Sequence, residues 1–407
     1  MPIRHRMLGF TLAALLMSSG ARADLEPCSK NHYILDEPCV AAWTPVNDGL
    51  VDRDIRVLAI DPLRQATLYA GGTGGVFKSV DGGAWILTGL RMADRALIDT
   101  SAALNRFSNI GVFRADSVVA HLAIDPVDPD TLYAGTRAIH GATYLQRRFF
   151  KSTDGGATWT DDAVPPISGV DNIHAIVVAP SDPATVYVLD YDDSTGDTWA
   201  PVVSSADRGA SWKGLQYQVL NVLAVDPLDA RTVYGGSFDF GPFNGDLPTG
   251  VLKSADGGET WAATGLAGHG ISALAVDPSD PGVLYAATVG GYGGYLWSSV
   301  FTGLFRSNDQ GATWTAINEG LADLIDTASV ISAIAFDPRD ARIVYFGTTL
   351  DGVYRTADGG ATWSPFNEGL GSQSVRSLAF AADEQGTLYA GTIAGVFKVV
   401  TGPAAAR

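Results

Sequence analysis

The sequence predicts an all-β protein in which seven similar units close into a ring. A unit of about 50 residues recurs along the chain. Each copy contains short runs rich in Val, Tyr, Phe and Thr, bounded by Gly, Pro and Asp. A sustained helical period is missing, with part of 91–110 as the one candidate. Together these features predict a single seven-bladed β-propeller with four-stranded blades.

The repeat begins with VLAIDPLRQATLYAGGTGGVFKSVDGGAW at 57–85. Further copies lie at 121–159, 175–212, 222–261, 273–314 and 333–363, and a last copy at 377–400 lacks the final Trp. Within a unit, the run before Asp-Pro predicts strand A, nearest the central channel. TLYAG predicts strand B, GVFKS predicts strand C, and Trp with about five following residues predicts strand D.

The strand that the last copy lacks is present at the other end of the chain. AWTPVNDGL at 42–50 matches WTAINEGL at 314–321 and WSPFNEGL at 363–370. We therefore expect the N-terminal strand to complete the last blade, which leaves no long exposed sheet edge. The predicted propeller spans 42–400, followed by a frayed tail at 401–407.

Between strands C and D the pattern is Ser/Thr-x-Asp-x-Gly-x-x-Trp. A short Asp side chain can accept backbone N–H bonds within its own turn, and Gly tolerates positive φ. Because equivalent turns around a ring cannot share one active centre, we interpret these aspartates as structural rather than catalytic or calcium-binding. They are Asp81, Asp154, Asp207, Asp256, Asp309 and Asp358, and the Asp81 copy is one residue short, which leaves its turn geometry open.

With these motifs, the chain resembles the BNR/Asp-box propeller superfamily over about residues 42–400. That superfamily includes sialidases, xyloglucanases, the sortilin ectodomain and photosystem II assembly factors. The resemblance implies the fold, not one activity. It also implies that the Asp boxes lie opposite the functional face, as they do in the sialidases.

The N-terminus has the features of a secretory signal peptide. Arg4 and Arg6 precede an apolar stretch at 7–17, and Ala21-Arg22-Ala23 fits a signal peptidase. We expect cleavage after Ala23 and a secreted or periplasmic protein. The alternative, a retained membrane anchor, is disfavoured because eleven apolar residues are too few to span a bilayer. In an oxidising compartment, Cys28 and Cys39 are expected to form a disulfide in an arm at 24–41.

The charge excludes several classes of partner. Loss of three arginines with residues 1–23, which hold no acidic residue, changes the formal charge from −17 to −20. Nucleic acids and anionic membranes are therefore disfavoured, and we expect no membrane insertion after signal removal. A glycan or an extracytoplasmic protein is the expected partner. We expect no cofactor and no metal, since no His pair has the spacing of metal ligands.

Loop length identifies the expected binding face. The B–C connections are short in blades 1, 6 and 7 but long in blades 2 to 5, where aromatics alternate with Gly and Asp. Such residues suit stacking on sugar rings or binding a peptide, or they pack against each other to hold the loops. The candidate ligand-binding residues are Tyr144, Tyr191, Trp199, Phe238, Phe240, Phe243, Tyr292, Tyr295 and Trp297.

Three functions remain open. We favour an exported, non-catalytic propeller that binds a glycan or protein through these loops. The alternative is a glycoside hydrolase of the xyloglucanase or sialidase type, which requires two carboxylates flanking one bond. Asp192 and Asp239 are weak candidates, with Asp190, Asp193 and Asp246 nearby. The resemblance implies an aspartate just after strand B of an early blade, but Gly72-Thr73-Gly74-Gly75 has none. The third possibility is a structural link in a surface assembly.

Overall fold

The structure, a computed structural model, describes residues 41–402 apart from 93–111, 114–116, 139–148, 162–171, 192–201, 216–219, 238–248, 291–299 and 326. The predicted signal peptide, the arm, Cys28 and Cys39 lie outside these residues. The described chain forms seven sheets, antiparallel apart from one short added strand, and no helix, so the predicted all-β propeller is confirmed. Accordingly, no helix that could cross a membrane occurs in the described ranges.

Blades 1 to 4 follow the chain in order. Blade 1 contains β2 (Ile55–Ile60), β3 (Leu68–Gly72), β4 (Gly75–Ser79) and β5 (Ile86–Met92), with β6 (Val112–Phe113) added in parallel. Blade 2 contains β7 (Ser117–Ile124), β8 (Leu132–Ala138) and β9 (Phe149–Ser152). Blade 3 contains β10 (Asn172–Val178), β11 (Val186–Tyr191), β12 (Val202–Ser205) and β13 (Lys213–Gly214). Blade 4 contains β14 (Leu220–Val225), β15 (Val233–Ser237), β16 (Val251–Ser254) and β17 (Ala262–Gly265).

The last blade combines both ends of the propeller. Blade 5 contains β18 (Gly270–Val276), β19 (Leu284–Gly290), β20 (Val300–Ser307) and β21 (Thr315–Ala316). Blade 6 contains β22 (Ile331–Phe336), β23 (Val344–Thr348), β24 (Val353–Thr356) and β25 (Ser364–Pro365). Blade 7 contains β26 (Val375–Phe380), β27 (Thr387–Thr392) and β28 (Gly395–Val400), and β1 (Thr44–Pro45) pairs with β28.

Strand D is shorter than the sequence predicts in blades 2, 3, 5, 6 and 7. It spans only two residues in β1, β13, β21 and β25, and the Trp of each box precedes the strand. In blade 2 a single bridge between Lys151 and Thr160 stands in its place. The outer edge of these blades is thus paired only briefly.

Neighbouring blades contact each other in the same way around the ring. Successive A strands are in contact, from β2 through β7, β10, β14, β18 and β22 to β26, which returns to β2. A small residue of strand B receives a branched side chain from the next strand A. A Cβ on Gly135 would lie within 3.0 Å of the Ile173 side chain, and one on Gly347 within 3.0 Å of Val375. The blades therefore interlock closely, as protein cores do.

In several blades, a buried tyrosine of strand B also joins the blade to the next one. Tyr133 donates a hydrogen bond to the Arg208 carbonyl (3.0 Å), and Tyr285 donates to the Gly359 carbonyl (2.8 Å). Both acceptors belong to the Asp-box turn of the following blade. Lys151 donates to the same Arg208 carbonyl (2.7 Å). The Asp-box turns thus hold neighbouring blades together as well as their own strands.

Each Asp box closes through a repeated set of hydrogen bonds. The Ser254 hydroxyl donates to Asp256 Oδ1 (2.8 Å) and accepts from the Gly258 N–H (2.7 Å). Thr260 donates its N–H to Oδ1 (3.0 Å) and its hydroxyl to Oδ2 (2.6 Å) of Asp256. In the shorter first copy, Asp81 accepts from the Gly83 and Ala84 N–H groups instead. That copy still forms a turn, without the hydroxyl bond to Oδ2.

These carboxylates make the stability of the fold depend on pH in the acidic range. Hydrogen bonds, led by those from Ser211 and Thr260, lower the pKa of Asp207 and Asp256 to about 2. Because the folded pKa lies below the unfolded value, the contribution to stability is complete above about pH 4 and is lost as the pH falls through about 2. The melting temperature should therefore fall mainly below about pH 4.

An Asp256→Asn variant tests this assignment. Asn cannot accept both Thr260 bonds and has no charge to lose, so the variant should melt lower at neutral pH but depend less on acid. Thermal unfolding followed by circular dichroism across this pH range measures both effects. Identical acid dependence in the two proteins would contradict the assignment.

Candidate functional site

The two ends of the ring carry different connections. In the Asp-box turn, the Gly155 N–H donates to the Asp130 carbonyl of the A–B turn in its own blade (2.9 Å), so these two turns share one end. At the other end, Gly72, the last residue of β3 before the first B–C turn, packs against the Asp54 backbone of the preceding D–A connection. The end that carries the B–C and D–A connections, called here the B–C face, is opposite the Asp boxes.

The predicted ligand-binding loops leave from corresponding strand ends of blades 2 to 5 on this face. Their strands β8–β9, β11–β12, β15–β16 and β19–β20 are described. Tyr191 ends β11, and nothing is described of its side chain. The remaining candidates lie outside the described residues and stay predictions: Tyr144, Trp199, Phe238, Phe240, Phe243, Tyr292, Tyr295, Trp297, Asp192 and Asp239.

Near this face, every strand A contains a β-bulge at the same position. The pairing with strand B skips one residue in each blade, which re-aims that side chain. Asn221 uses its side chain to donate to the Ile271 carbonyl of the next blade (2.7 Å), and Ser332 donates to Val375 in the same way (2.8 Å). The seven bulged residues are Arg56, Ala120, His174, Asn221, Ser272, Ser332 and Arg376. Sequence analysis missed this ring of residues.

The first B–C turn contains no acidic residue, but the carboxylate of Asp52 lies against it. Asp52, from the connection before β2, accepts a hydrogen bond from the Thr73 hydroxyl through Oδ2 and one from the Asp54 N–H through Oδ1 (3.1 Å). A Cβ on Gly74 would lie 3.2 Å from the Asp52 Cβ. Asp52 is half-buried. It therefore supplies an accessible carboxylate beside the turn where the sequence lacks one.

Two half-buried imidazoles, His121 and His174, belong to the A strands of blades 2 and 3. Burial, and then the charge of Arg137, lowers the pKa of His121 to about 3, and the same causes lower the pKa of His174 well below its usual value. Both are neutral at physiological pH. In the described part of the chain, no group of three His, Cys, Asp or Glu residues could hold a metal ion.

Blade 3 has an aspartate, Asp190, at a position near the end of strand B where other blades have a threonine. The equivalent residues of blades 5, 6 and 7 are threonines, such as Thr348, whose hydroxyl donates to the Gly352 carbonyl across the B–C turn (3.0 Å). Asp190 is 2% exposed. A carboxylate in such surroundings fits a polar network better than direct contact with a large ligand.

Comparison with known proteins places the chain beside polysaccharide-degrading enzymes. No family model matches it. It is 34% identical to a xyloglucanase of Paenibacillus sp over 331 residues, which are 69% of this chain and 28% of that protein. It is 25% identical to a xyloglucanase of Hypocrea jecorina over 325 residues, which are 68% of this chain and 35% of that protein. The chain thus spans about a third of the length of these curated relatives.

Solved structures give the same fold. The GH74 xyloglucanase from Xanthomonas campestris superposes with a TM-score of 0.62 at 17% identity, over 90% of this chain and 55% of that one. YCF48 bound to D1 peptide superposes with a TM-score of 0.54 at 13% identity, over 90% of this chain and 98% of that one. The chain is a glycoside hydrolase-like propeller, consistent with the BNR/Asp-box superfamily. The comparisons favour the hydrolase alternative over the non-catalytic function.

Proposed function

We propose that this propeller acts on a xyloglucan-type β-glucan as a glycoside hydrolase, and that it does so outside the cytoplasm. The observation that carries the proposal is the 34% identity to a xyloglucanase over 331 residues. A neutral polysaccharide also suits a strongly acidic protein, because such a substrate is not repelled by the formal charge of −17. The predicted export agrees with a polymer substrate that cannot enter a cell.

Glycoside hydrolysis requires two carboxylates on either side of one bond. Three described aspartates lie near the B–C turns of blades 1 and 3, and of these Asp54 is paired with Arg56 at 2.6 Å and Asp190 is almost fully buried. Asp52 is partly exposed and accepts hydrogen bonds from neutral groups alone, Thr73 and the Asp54 N–H. We therefore assign Asp52 as one of the two carboxylates. The second would come from Asp192 or Asp239 in the loops of blades 3 and 4.

The direct test is incubation of the purified protein with xyloglucan and measurement of the reducing ends released. Galactomannan, a neutral polymer with a different backbone, is the control substrate. Release from xyloglucan well above that from galactomannan is expected. Binding of xyloglucan without release would overturn the catalytic assignment in favour of a non-catalytic glycan-binding propeller. Neither binding nor release would overturn the substrate assignment as well.

A further inference from the structure

The joint between blades 4 and 5 has a smaller apolar core than the joints on either side of it. Its cluster of buried apolar residues comprises Val251, Ile271 and Ala286. In the part of the chain that the structure describes, the cluster between blades 5 and 6 comprises thirteen such residues, and the one between blades 3 and 4 comprises eleven. Because apolar burial is the main force that holds packed elements together, the joint between blades 4 and 5 is held less firmly.

A tyrosine hydroxyl that joins other blades has no partner at this joint. Tyr285 of blade 5 donates to the Gly359 carbonyl of blade 6 at 2.8 Å. Tyr234 occupies the same position in strand B of blade 4, but its buried hydroxyl makes no hydrogen bond to any residue that the structure describes. Burial raises the pKa of both phenols to about 12, so both hydroxyls are protonated at neutral pH. Burying the Tyr234 hydroxyl without a partner therefore destabilises the closed joint.

A second contact between blades, made by the Trp of the Asp box, is also missing here. In blades 5, 6 and 7 the chain after strand D contains Asn-Glu-Gly-Leu or Asn-Asp-Gly-Leu, and the segment around this motif accepts hydrogen bonds from the Trp of the next blade. Trp363, for example, donates its indole N–H to Ile317 and its backbone N–H to Glu319, both at 3.0 Å. Blade 4 has AATGLAGHG at 262–270 instead. The indole N–H of Trp314 is accordingly buried without an acceptor among the described residues.

The inner side of the same joint is packed closely. Asn221 of β14 donates to the Ile271 carbonyl of β18 at 2.7 Å, and a Cβ on Gly236 would lie within 3.0 Å of the Ile271 side chain. The outer side is bridged by an exposed hydrogen bond from the Lys253 ammonium to Gln310 Oε1 (2.7 Å), which water can replace. The joint is therefore anchored beside the channel and weak toward the Asp boxes.

We propose that the joint between blades 4 and 5 is a hinge at which the ring opens locally, turning about the contact between Asn221 and Ile271. Opening exposes the Tyr234 hydroxyl and the Trp314 indole to water, and their hydration offsets part of the loss of apolar burial. Proteins open locally where buried apolar contacts are few. The strands on either side, β15–β16 and β19–β20, carry the predicted ligand-binding loops of blades 4 and 5. Opening at the hinge thus changes the distance between the bases of these two loops.

Two adjacent alanines of β19 allow the opening to be measured. Ala286 belongs to the core between blades 4 and 5, Ala287 belongs to the core between blades 5 and 6, and both are completely buried. Each is replaced separately, as Ala286→Cys and Ala287→Cys, and the full chain is labelled with a maleimide under native conditions. Mass spectrometry of the labelled peptide separates the new thiol from Cys28 and Cys39. The Ala286→Cys variant should be labelled at least about 10-fold faster, because a buried thiol reacts only while its joint is open.

Tyrosine substitutions connect the opening to the missing hydrogen bond. In the Ala286→Cys protein, Tyr234→Phe should slow labelling about 5-fold, since the closed joint no longer buries an unpaired hydroxyl. In the Ala287→Cys protein, Tyr285→Phe should accelerate labelling about 5-fold, since it removes the bond to Gly359. Exchange of the Trp314 and Trp363 indole N–H groups, followed by NMR on the native chain, compares the same two joints without any cysteine. The Trp314 group should exchange faster.

Two results would overturn the proposal. Equal labelling of the Ala286→Cys and Ala287→Cys variants would show that β19 is exposed as a whole and not at one joint. Acceleration by Tyr234→Phe as large as that by Tyr285→Phe would show that the Tyr234 hydroxyl is satisfied in the closed ring. The release of reducing ends from xyloglucan enters neither measurement, so failure of the proposed hydrolase activity leaves the hinge intact.

Discussion

Asp52→Asn is expected to lower the release of reducing ends from xyloglucan by about 10²–10⁴-fold, the usual contribution of a group that transfers a proton in the transition state. Asparagine has nearly the same shape and can still accept the Thr73 hydrogen bond, but it cannot take up or deliver a proton. The loss should appear in kcat with little change in KM, because shape and ground-state contacts are retained.

Asp351→Asn provides the matched control for this experiment. Asp351 is an exposed carboxylate in the B–C turn of blade 6, on the same face of the propeller. The activity of the Asp351→Asn variant should remain within about twofold of that of the native protein, since a surface substitution away from the site perturbs little. Equal activities of the Asp52→Asn and native proteins, with both folded, would exclude Asp52 from the reaction. A rise in KM alone would assign it to substrate binding.

The prediction of the Asp-box turns from sequence succeeded because their chemistry is local. Ser205, Asp207 and Gly209 lie within five residues of one another and bond to each other directly. The hydroxyl residue before the Trp was missed, although it recurs visibly at Thr158, Ser211, Thr260, Thr313 and Thr362. Each of these side chains donates to the box aspartate. The full pattern was available from the repeats alone.

The bulges and the proximity of Arg56 and Arg376 could not have been predicted in the same way. A bulge is defined by how two strands pair, and the seven bulged positions carry five different residue types. Arg56 and Arg376 lie near opposite ends of the repeat array, and they meet only because the ring closes between β26 and β2. Asp52 could not be predicted from the residues after strand B, because it reaches that turn from the connection before β2.

The length and composition of the long B–C loops, by contrast, can be seen in the sequence while their geometry cannot. The repeat fixes where each loop begins and ends, as at Ala138 and Phe149 in blade 2. Between those points the four loops share neither length nor motif, so no copy predicts the path of another. The aromatics from Tyr144 to Trp297 therefore remain predictions of ligand contact.

Gly320→Ala is expected to destabilise the protein by about 2–5 kcal/mol, far more than the same change at Gly268. Both glycines have positive φ, 86° and 81°, so both substitutions incur the left-handed penalty of about 1–2 kcal/mol. Only at Gly320 would the new Cβ also lie under 3.0 Å from a backbone atom, the Trp363 carbonyl oxygen. At Gly268 it would meet nothing within 4 Å.

The extra cost at Gly320 arises from the contact between blades. The Trp363 N–H donates to the Glu319 carbonyl (3.0 Å), and the Trp363 indole donates to Ile317 (3.0 Å), so any backbone shift that relieves the overlap weakens both bonds. Urea unfolding of the two variants and the native protein measures the difference directly. The same relation joins Gly369 to Trp43, where the N-terminal strand meets blade 6, so Gly369→Ala should behave like Gly320→Ala. Equal losses at Gly268 and Gly320 would mean that φ alone, and not the approach of neighbouring blades, requires glycine at these positions.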